Sequence, residues 1–238
     1  ERKTWNECAN FNNDNTNIGN PFLSHEFFCS LEDSGSVSKE TGWISQHILL
    51  SVNNSIVGIL PNFIKNHSWG EYIFDQVFAQ ALENAGGKYY PKLLSAVPFS
   101  PVPGERFLIK AGYDKQEIIK LLLNALEELI KIYKVSSGHI NFINKDQIKY
   151  FSSEHSWLER QNIQFHWNND NYENFDHFLS KLSSSKRKTI KRERKEIIES
   201  SINLEIISGD DIKNSHAEKF NKFYLSTIEK KWGGAYLN

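Results

Sequence analysis

Across 238 residues, 28 Lys and Arg stand against 29 Asp and Glu, a formal net charge of -1. That balance argues against a protein whose whole surface binds nucleic acid. No apolar run approaches the length of a membrane span, and the opening ERKTWNECAN has no signal-peptide core. Cys8 and Cys29 fit neither a metal motif nor a disulfide framework, so a reducing, cytoplasmic compartment is expected. No H-x-x-x-H, H-E-x-x-H or C-x-x-C pattern occurs, so no metal site is expected. Aromatic residues reach 13%, with six Trp; rings in that number need cores or clefts to sit in.

In chain order, NPFLSHEFFCSLEDSGS reads as a helix, with Leu23, Phe27 and Leu31 on one face and Gly35 after its end. WISQHILLSV and IVGILPNFIK read as two strands joined by Asn53-Asn54-Ser55, good hairpin chemistry. FDQVFAQALENAGG is a short helix stopped by Gly86-Gly87. YYPKLLSAVPFSPVPGERFL starts as a strand, but four prolines cannot lie inside a sheet, so its remainder is extended. DKQEIIKLLLNALEELIKIYK is the clearest helix, with Ile118, Leu122, Leu126, Leu129 and Tyr133 on one face. GHINFI and NIQFHW read as strands. NYENFDHFLSKL is helical, INLEII a strand, and SGDDIKNSHAEKFNKFYLSTIEKKW a helix. The polar Asn168–Asn171 stretch is the candidate domain boundary. This order implies an α/β (α+β) fold with a mixed sheet.

The chain contains no Met and stops at KWGGAYLN, a stretch that reads as mid-domain. A fragment of a longer protein is therefore expected.

Several segments in order resemble one family: NPFLSHEFFCSLEDSGSVSKETGW, HSWGEYIFD, YYPKLLSAVPFSPVPGERFL, QFHW, LSSSKRKTIKRERK and FYLSTIEKKWGGAYL. Together they are similar to the FemAB-like proteins of peptidoglycan biosynthesis/recognition, predicted N-acyltransferases of the GNAT superfamily. The resemblance implies GNAT-like mixed sheets flanked by helices, in tandem. Residues 1–167 would form the first domain, and 168–238 the opening of a second, incomplete one. It implies transfer of an acyl or aminoacyl group to an amine, with a peptidoglycan precursor as substrate. It also implies acyl-CoA or aminoacyl-tRNA as donor, tRNA as a partner, and no tightly bound cofactor. The alternative is a GNAT-like binding protein without transfer chemistry, for a cell-wall precursor or another phosphorylated ligand. One departure favours that alternative. The Gln/Arg-x-x-Gly-x-Gly/Ala loop that cradles the CoA pyrophosphate in many GNAT enzymes is missing, and PVPGERFLIKAGYDKQE has its glycines at the wrong spacing.

Four segments carry candidate chemistry. HSWGEYIFD places His67, Glu71, Tyr72 and Asp75 just after a strand, where functional side chains are common. His67, Glu71 or Asp75 would be the base that takes the proton of the attacking amine; Tyr72 would touch substrate. Loop hydrogen bonding is the competing reading. YYPKLLSAVPFSPVPGERFL carries Tyr89, Tyr90, Lys92, Phe99 and Arg106. Lys92 and Arg106 could meet a phosphate or carboxylate, Arg the better bidentate partner. Backbone N–H groups near Pro98–Gly104 are candidate oxyanion donors. Equally, the rings could be core and the prolines strand terminators.

SSSKRKTIKRERKEI holds seven Lys or Arg and two Glu. Arg192–Glu196 and Lys195–Glu199 pair at i,i+4. Lys186, Arg187, Lys188 and Lys191 lack such partners and sit at the positive end of the helix dipole. A bound anion explains cations there; a solvated charged face is the alternative. Ile190, Ile197 and Ile198 would supply the buried stripe. An arginine-bearing helix opens the second domain in FemAB-like enzymes, so the resemblance implies that Lys186 and Arg187 contact a phosphorylated substrate. Lys231 and Trp232 in KKWGG would line a second-domain cleft, unless Trp232 is a core anchor.

Overall fold

A computed structural model describes residues 1–11, 19–151, 157–231 and 234–237. The chain divides into two compact units, 1–157 with 234–238, and 158–233.

The first unit runs α1 (Arg2–Cys8), a single 3-10 turn (Pro21–Leu23), α2 (His25–Asp33), then β1 (Trp43–Ser45), β2 (Ile48–Val52), β3 (Ser55–Leu60) and β4 (Phe63–Lys65). It continues with α3 (Gln76–Asn84), β5 (Lys92–Ser95), β6 (Leu108–Ile109), α4 (Lys115–Tyr133), β7 (Gly138–Ile140) and α5 (Lys145–Ile148). Ser24 caps α2 by accepting the Phe27 N–H, and Asp114 caps α4 by accepting the Glu117 N–H. Asn53 and Asn54, both at positive φ, turn the β2–β3 hairpin.

Each of the two expected hairpin strands is broken in the middle. WISQHILLSV becomes β1 and β2, and IVGILPNFIK becomes β3 and β4. The break in the second falls at Pro61-Asn62, where proline has no N–H to give to a ladder. The hairpin therefore passes from one sheet to another. The sheets have strand orders β1-β4-β5-β7 and β2-β3-β6, with β5–β7 the parallel pair and the rest antiparallel. This is a mixed α/β arrangement.

Helices cover both faces. On one side α4 buries Ile118, Ile119, Leu122, Leu123 and Leu126 against Ile48, Val57, Leu60 and Leu93. On the other, α1 and α2 bring Trp5, Cys8, Phe28 and Leu31 against Trp43, Ile59, Phe63 and Leu94. Alternation along the strands explains the division, since Ile59 and Leu60 point to opposite faces, as do Leu93 and Leu94.

The second unit contains α6 (Phe175–Ser180), α7 (Ser184–Glu199), a 3-10 turn (Gly209–Asp211) and α8 (Asn214–Glu229). Trp167, Tyr172, Phe175 and Phe178 form a cluster of stacked, edge-to-face and tilted rings. NIQFHW and INLEII, expected as strands, pair with no strand here. Their alternate residues Phe165 and Ile206 are 95% and 97% exposed. Alternation marks a half-buried strand only where a neighbouring ladder exists. The expected Ile stripe of α7 is likewise not buried: Ile197 and Ile198 are exposed and Ile190 only half-buried. No described helix is long and apolar enough to cross a membrane.

Candidate functional site

The site begins as one row of the four-stranded sheet. Trp43, Lys65 and Lys92 sit side by side across β1, β4 and β5. Each shares its strand face with an apolar core residue two positions away, Phe63 beside Lys65 and Leu94 beside Lys92. Alternation thus forces two lysines into the interior, and both are 0% exposed. Buried ammonium groups must be paired, hydrogen-bonded or discharged.

Segment 66–75 folds over this row and supplies the partners of Lys92. Its Nζ donates to Glu71 Oε2 and Asp75 Oδ2, both at 2.8 Å, and to Ser68 Oγ at 2.9 Å. Tyr89 OH donates to Asp75 Oδ2 at 2.8 Å, and Ser68 shares a hydrogen bond with Tyr90. Asp75 stands at the N-cap of α3 yet makes no side-chain cap; its carboxylate turns to Lys92 instead. Burial raises Asp75, but the Lys92 ammonium together with the Ser68 and Tyr89 hydrogen bonds outweighs it and holds the carboxyl below its usual range. Burial raises Glu71, only partly offset by Lys92. Burial and the Asp75 carboxylate push the Tyr89 phenol up. Glu71 Oε1 and Asp75 Oδ1 are buried without a protein partner.

Lys65 is held differently. Its Nζ lies 3.7 Å over the Trp43 ring, donates to the Trp69 carbonyl at 3.2 Å and lies 3.4 Å from His67 Nδ1. Burial pulls its pKa down to about 7, against the attraction of Glu71. His67 Nε2 lies 3.0 Å from the Thr41 carbonyl, and Nδ1 accepts the Trp69 N–H at 3.1 Å. This network assigns the proton to Nε2 and makes Nδ1 the acceptor. Burial, then Lys65, lowers the pKa of His67, so the ring is neutral at pH 7. Gly42 makes the approach possible, because at φ +72 a Cβ would stand 2.4 Å from His67 Nε2.

In front of His67 lies a cavity of about 330 Å³, walled by Glu40, Thr41, Trp43, His67, Trp69, Phe99 and residues 234–236. Tyr236 stacks on Phe99 with ring centres 5.6 Å apart. Phe99 is held at positive φ while its N–H donates to the Gly70 carbonyl. A second cavity of about 230 Å³ touches Trp5, His25, Phe28, Cys29 and His47. Burial, then acidic neighbours, push the Cys29 thiol up, which keeps it from acting as a thiolate.

Of the residues singled out in the sequence, Glu71, Asp75, Tyr89, Tyr90 and Lys92 meet in the buried cluster. His67 and Phe99 line the cavity. Tyr72, 44% exposed, lies beside the Tyr236 ring. Arg106 is elsewhere: its guanidinium donates to the carbonyls of Asn141, Glu105 and Val102, and burial lowers its pKa to about 10. It staples the proline-rich segment to Asn141, the residue that follows β7. In that segment the Phe99 and Gly104 N–H groups, considered as oxyanion donors, are taken by the carbonyls of Gly70 and Phe142. Lys186, Arg187 and Lys231 belong to the second unit. Arg187 donates to the Ser180 carbonyl, Lys191 pairs with Asp176, and the expected pairs Arg192–Glu196 and Lys195–Glu199 are present. Trp232 lies outside the described residues. Lys65 and Trp43 were not singled out. The signal for Lys65 is in FIK, where alternation places it on the same face as Phe63.

No described group of three His, Cys, Asp or Glu is arranged to hold a metal ion. Searches found no matching curated protein and no matching solved structure. The FemAB-like family, described as peptidoglycan biosynthesis/recognition, matches residues 1–238. The chain therefore belongs to the FemAB-like family of peptidoglycan biosynthesis/recognition.

Proposed function

We propose that this protein transfers an acyl or aminoacyl group to an amine on a peptidoglycan precursor, using the GNAT-like fold expected of the family. The acyl carbonyl would enter the cavity at His67. The observation that carries this reading is His67 Nε2 at the cavity wall, 3.0 Å from the Thr41 carbonyl, to which it can only donate. In acyl transfer the amine attacks the carbonyl carbon and negative charge builds on the oxygen. A fixed donor at that oxygen stabilises the transition state more than the ground state. A substrate carbonyl would take the Nε2–H now given to Thr41. The C–S or C–O bond to the donor then breaks, and the amine's proton ends on the leaving thiol or ribose hydroxyl. Of the groups considered as base, His67 alone lines the cavity. Glu71 and Asp75 act behind it by fixing Lys92.

The donor would be acyl-CoA or aminoacyl-tRNA. Within the second unit, Lys186 and Arg187 of α7 would offer cations to a phosphorylated substrate. Mass analysis of a precursor incubated with the protein and each donor in turn tests this. A mass gain equal to the acyl or aminoacyl group, with one donor only, supports the reading and names the donor. An unchanged precursor with both donors refutes it.

A second reading, ligand recognition without transfer, is favoured by the aromatic walls Trp43, Trp69, Phe99 and Tyr236 and by the missing pyrophosphate-loop spacing. Stoichiometric precursor binding with no mass gain would select it.

A further inference from the structure

Three groups hold the Lys65 Nζ: the Trp43 ring, the Trp69 carbonyl and His67 Nδ1. All three residues also wall the cavity. Lys65 thus stands directly behind the surface that a ligand would touch. No ion pair joins it to a carboxylate among the described residues, because Glu71 and Asp75 bond to Lys92. The two lysines therefore differ: one is neutralised within the fold, and the other is caged by uncharged groups.

We propose that Lys65 is the specificity-determining residue of this cavity, selecting a ligand that carries a carboxylate or phosphoryl group and rejecting a cation. An anion against Trp43, His67 and Trp69 would sit one layer from a buried ammonium, where screening by water is weak. The ligand then supplies the counter-charge that the fold withholds. By linkage, anion binding and protonation of Lys65 favour each other equally. The other charges facing Lys65 are Lys92, opposite in the ladder, which opposes its protonation, and Glu71, which favours it. His67 is neutral, and Glu40, exposed on the cavity rim, is screened by solvent. The inference also fits a transfer reaction that builds an oxyanion at this wall. It rests on the reading above only in taking the cavity as the ligand site. Because binding is read without turnover, the two claims can fail separately.

Calorimetric titration of the intact protein with benzoate, phenyl phosphate and benzylamine, at about pH 6 and about pH 9, tests it. The expected result is at least tenfold tighter binding of an anion than of benzylamine at the lower pH, with the ratio shrinking at the higher pH. Whichever of benzoate and phenyl phosphate binds tighter distinguishes carboxylate from phosphoryl selection. Lys65→Met should abolish the preference, and Lys65→Arg should keep it at both pH values. Should neither variant fold, wild-type protein with 13C-labelled lysine decides, since the bound anion must move the Lys65 titration upward. Equal binding of benzoate and benzylamine, no binding of either anion, or a preference that survives Lys65→Met would overturn the proposal.

Discussion

Lys65 and Lys92 are paired residues on adjacent strands, both sealed from solvent, yet among the described residues only Lys92 forms ion pairs with carboxylates. This asymmetry organises the site. Lys92 binds segment 66–75 to the sheet, and Lys65 remains behind the cavity wall.

Replacing Lys92 by Met should destabilise the protein by about 3–5 kcal/mol, because two carboxylates would stay buried without their cation. Urea unfolding at neutral pH checks this. The triple change Lys92→Met, Glu71→Gln, Asp75→Asn should recover much of the loss, since uncharged partners carry a smaller desolvation cost. A harmless single change would show that the cluster holds nothing together.

Lys65 predicts a pH dependence. Its pKa falls to about 7 in the folded protein, against about 10.4 in an unfolded chain. Between those values the unfolded state binds more protons, so stability rises with pH. The contribution is fully present above the unfolded value and is lost as pH falls through about 7. Denaturation profiles should show wild-type stability gaining on Lys65→Met from about pH 7 to about pH 10. Parallel profiles would contradict the caged, uncompensated ammonium.

Gly42→Ala should disturb the cavity more than the fold. The new methyl would meet His67 Nε2, and an L residue at φ +72 is strained by about 1–3 kcal/mol. The expected outcome is a modest loss of stability with a large loss of ligand affinity or turnover. Calorimetric titration beside thermal unfolding separates the two effects.

Arg106→Lys should act in the opposite sense. Three carbonyls lose a fixed donor, at a cost of about 2–4 kcal/mol, while affinity for a phosphorylated ligand stays unchanged. Affinity lost at preserved stability would return Arg106 to the binding site. Replacing Lys186 and Arg187 together by Ala should cost less than about 1 kcal/mol of stability, since Lys186 is exposed and half-buried Arg187 gives up one long hydrogen bond to the Ser180 carbonyl. It should nevertheless weaken donor binding, and do so less as salt rises.

Much of the first unit was legible because its signals are local. Ile118, Leu122 and Leu126 repeat at helical spacing, and α4 buries all three. Gly86 at positive φ follows α3 as expected. The broken strands were harder to read: Gln46-His47 and Pro61-Asn62 interrupt runs whose apolar pattern continues across the break. The segments 162–167 and 202–207 show the opposite case, an alternating pattern without a ladder to complete it. At the site, the chemistry of Glu71, Asp75, Tyr89 and Lys92 could be read, but not that they bind one another, because their pairing depends on the fold of segment 66–75. Lys65 was passed over because a lysine ending a strand usually reaches solvent. Here the following segment closes over it.

The central claim is that His67 presents a neutral N–H to an acyl carbonyl in this cavity. Its most direct test compares initial rates of precursor acylation by wild-type protein and His67→Phe, which has no side-chain donor, with saturating donor and with folding confirmed for both. The account predicts measurable transfer by the wild type and a fall in kcat of about 10²-fold or more in the variant. Equal rates, or no transfer by either protein, would contradict it.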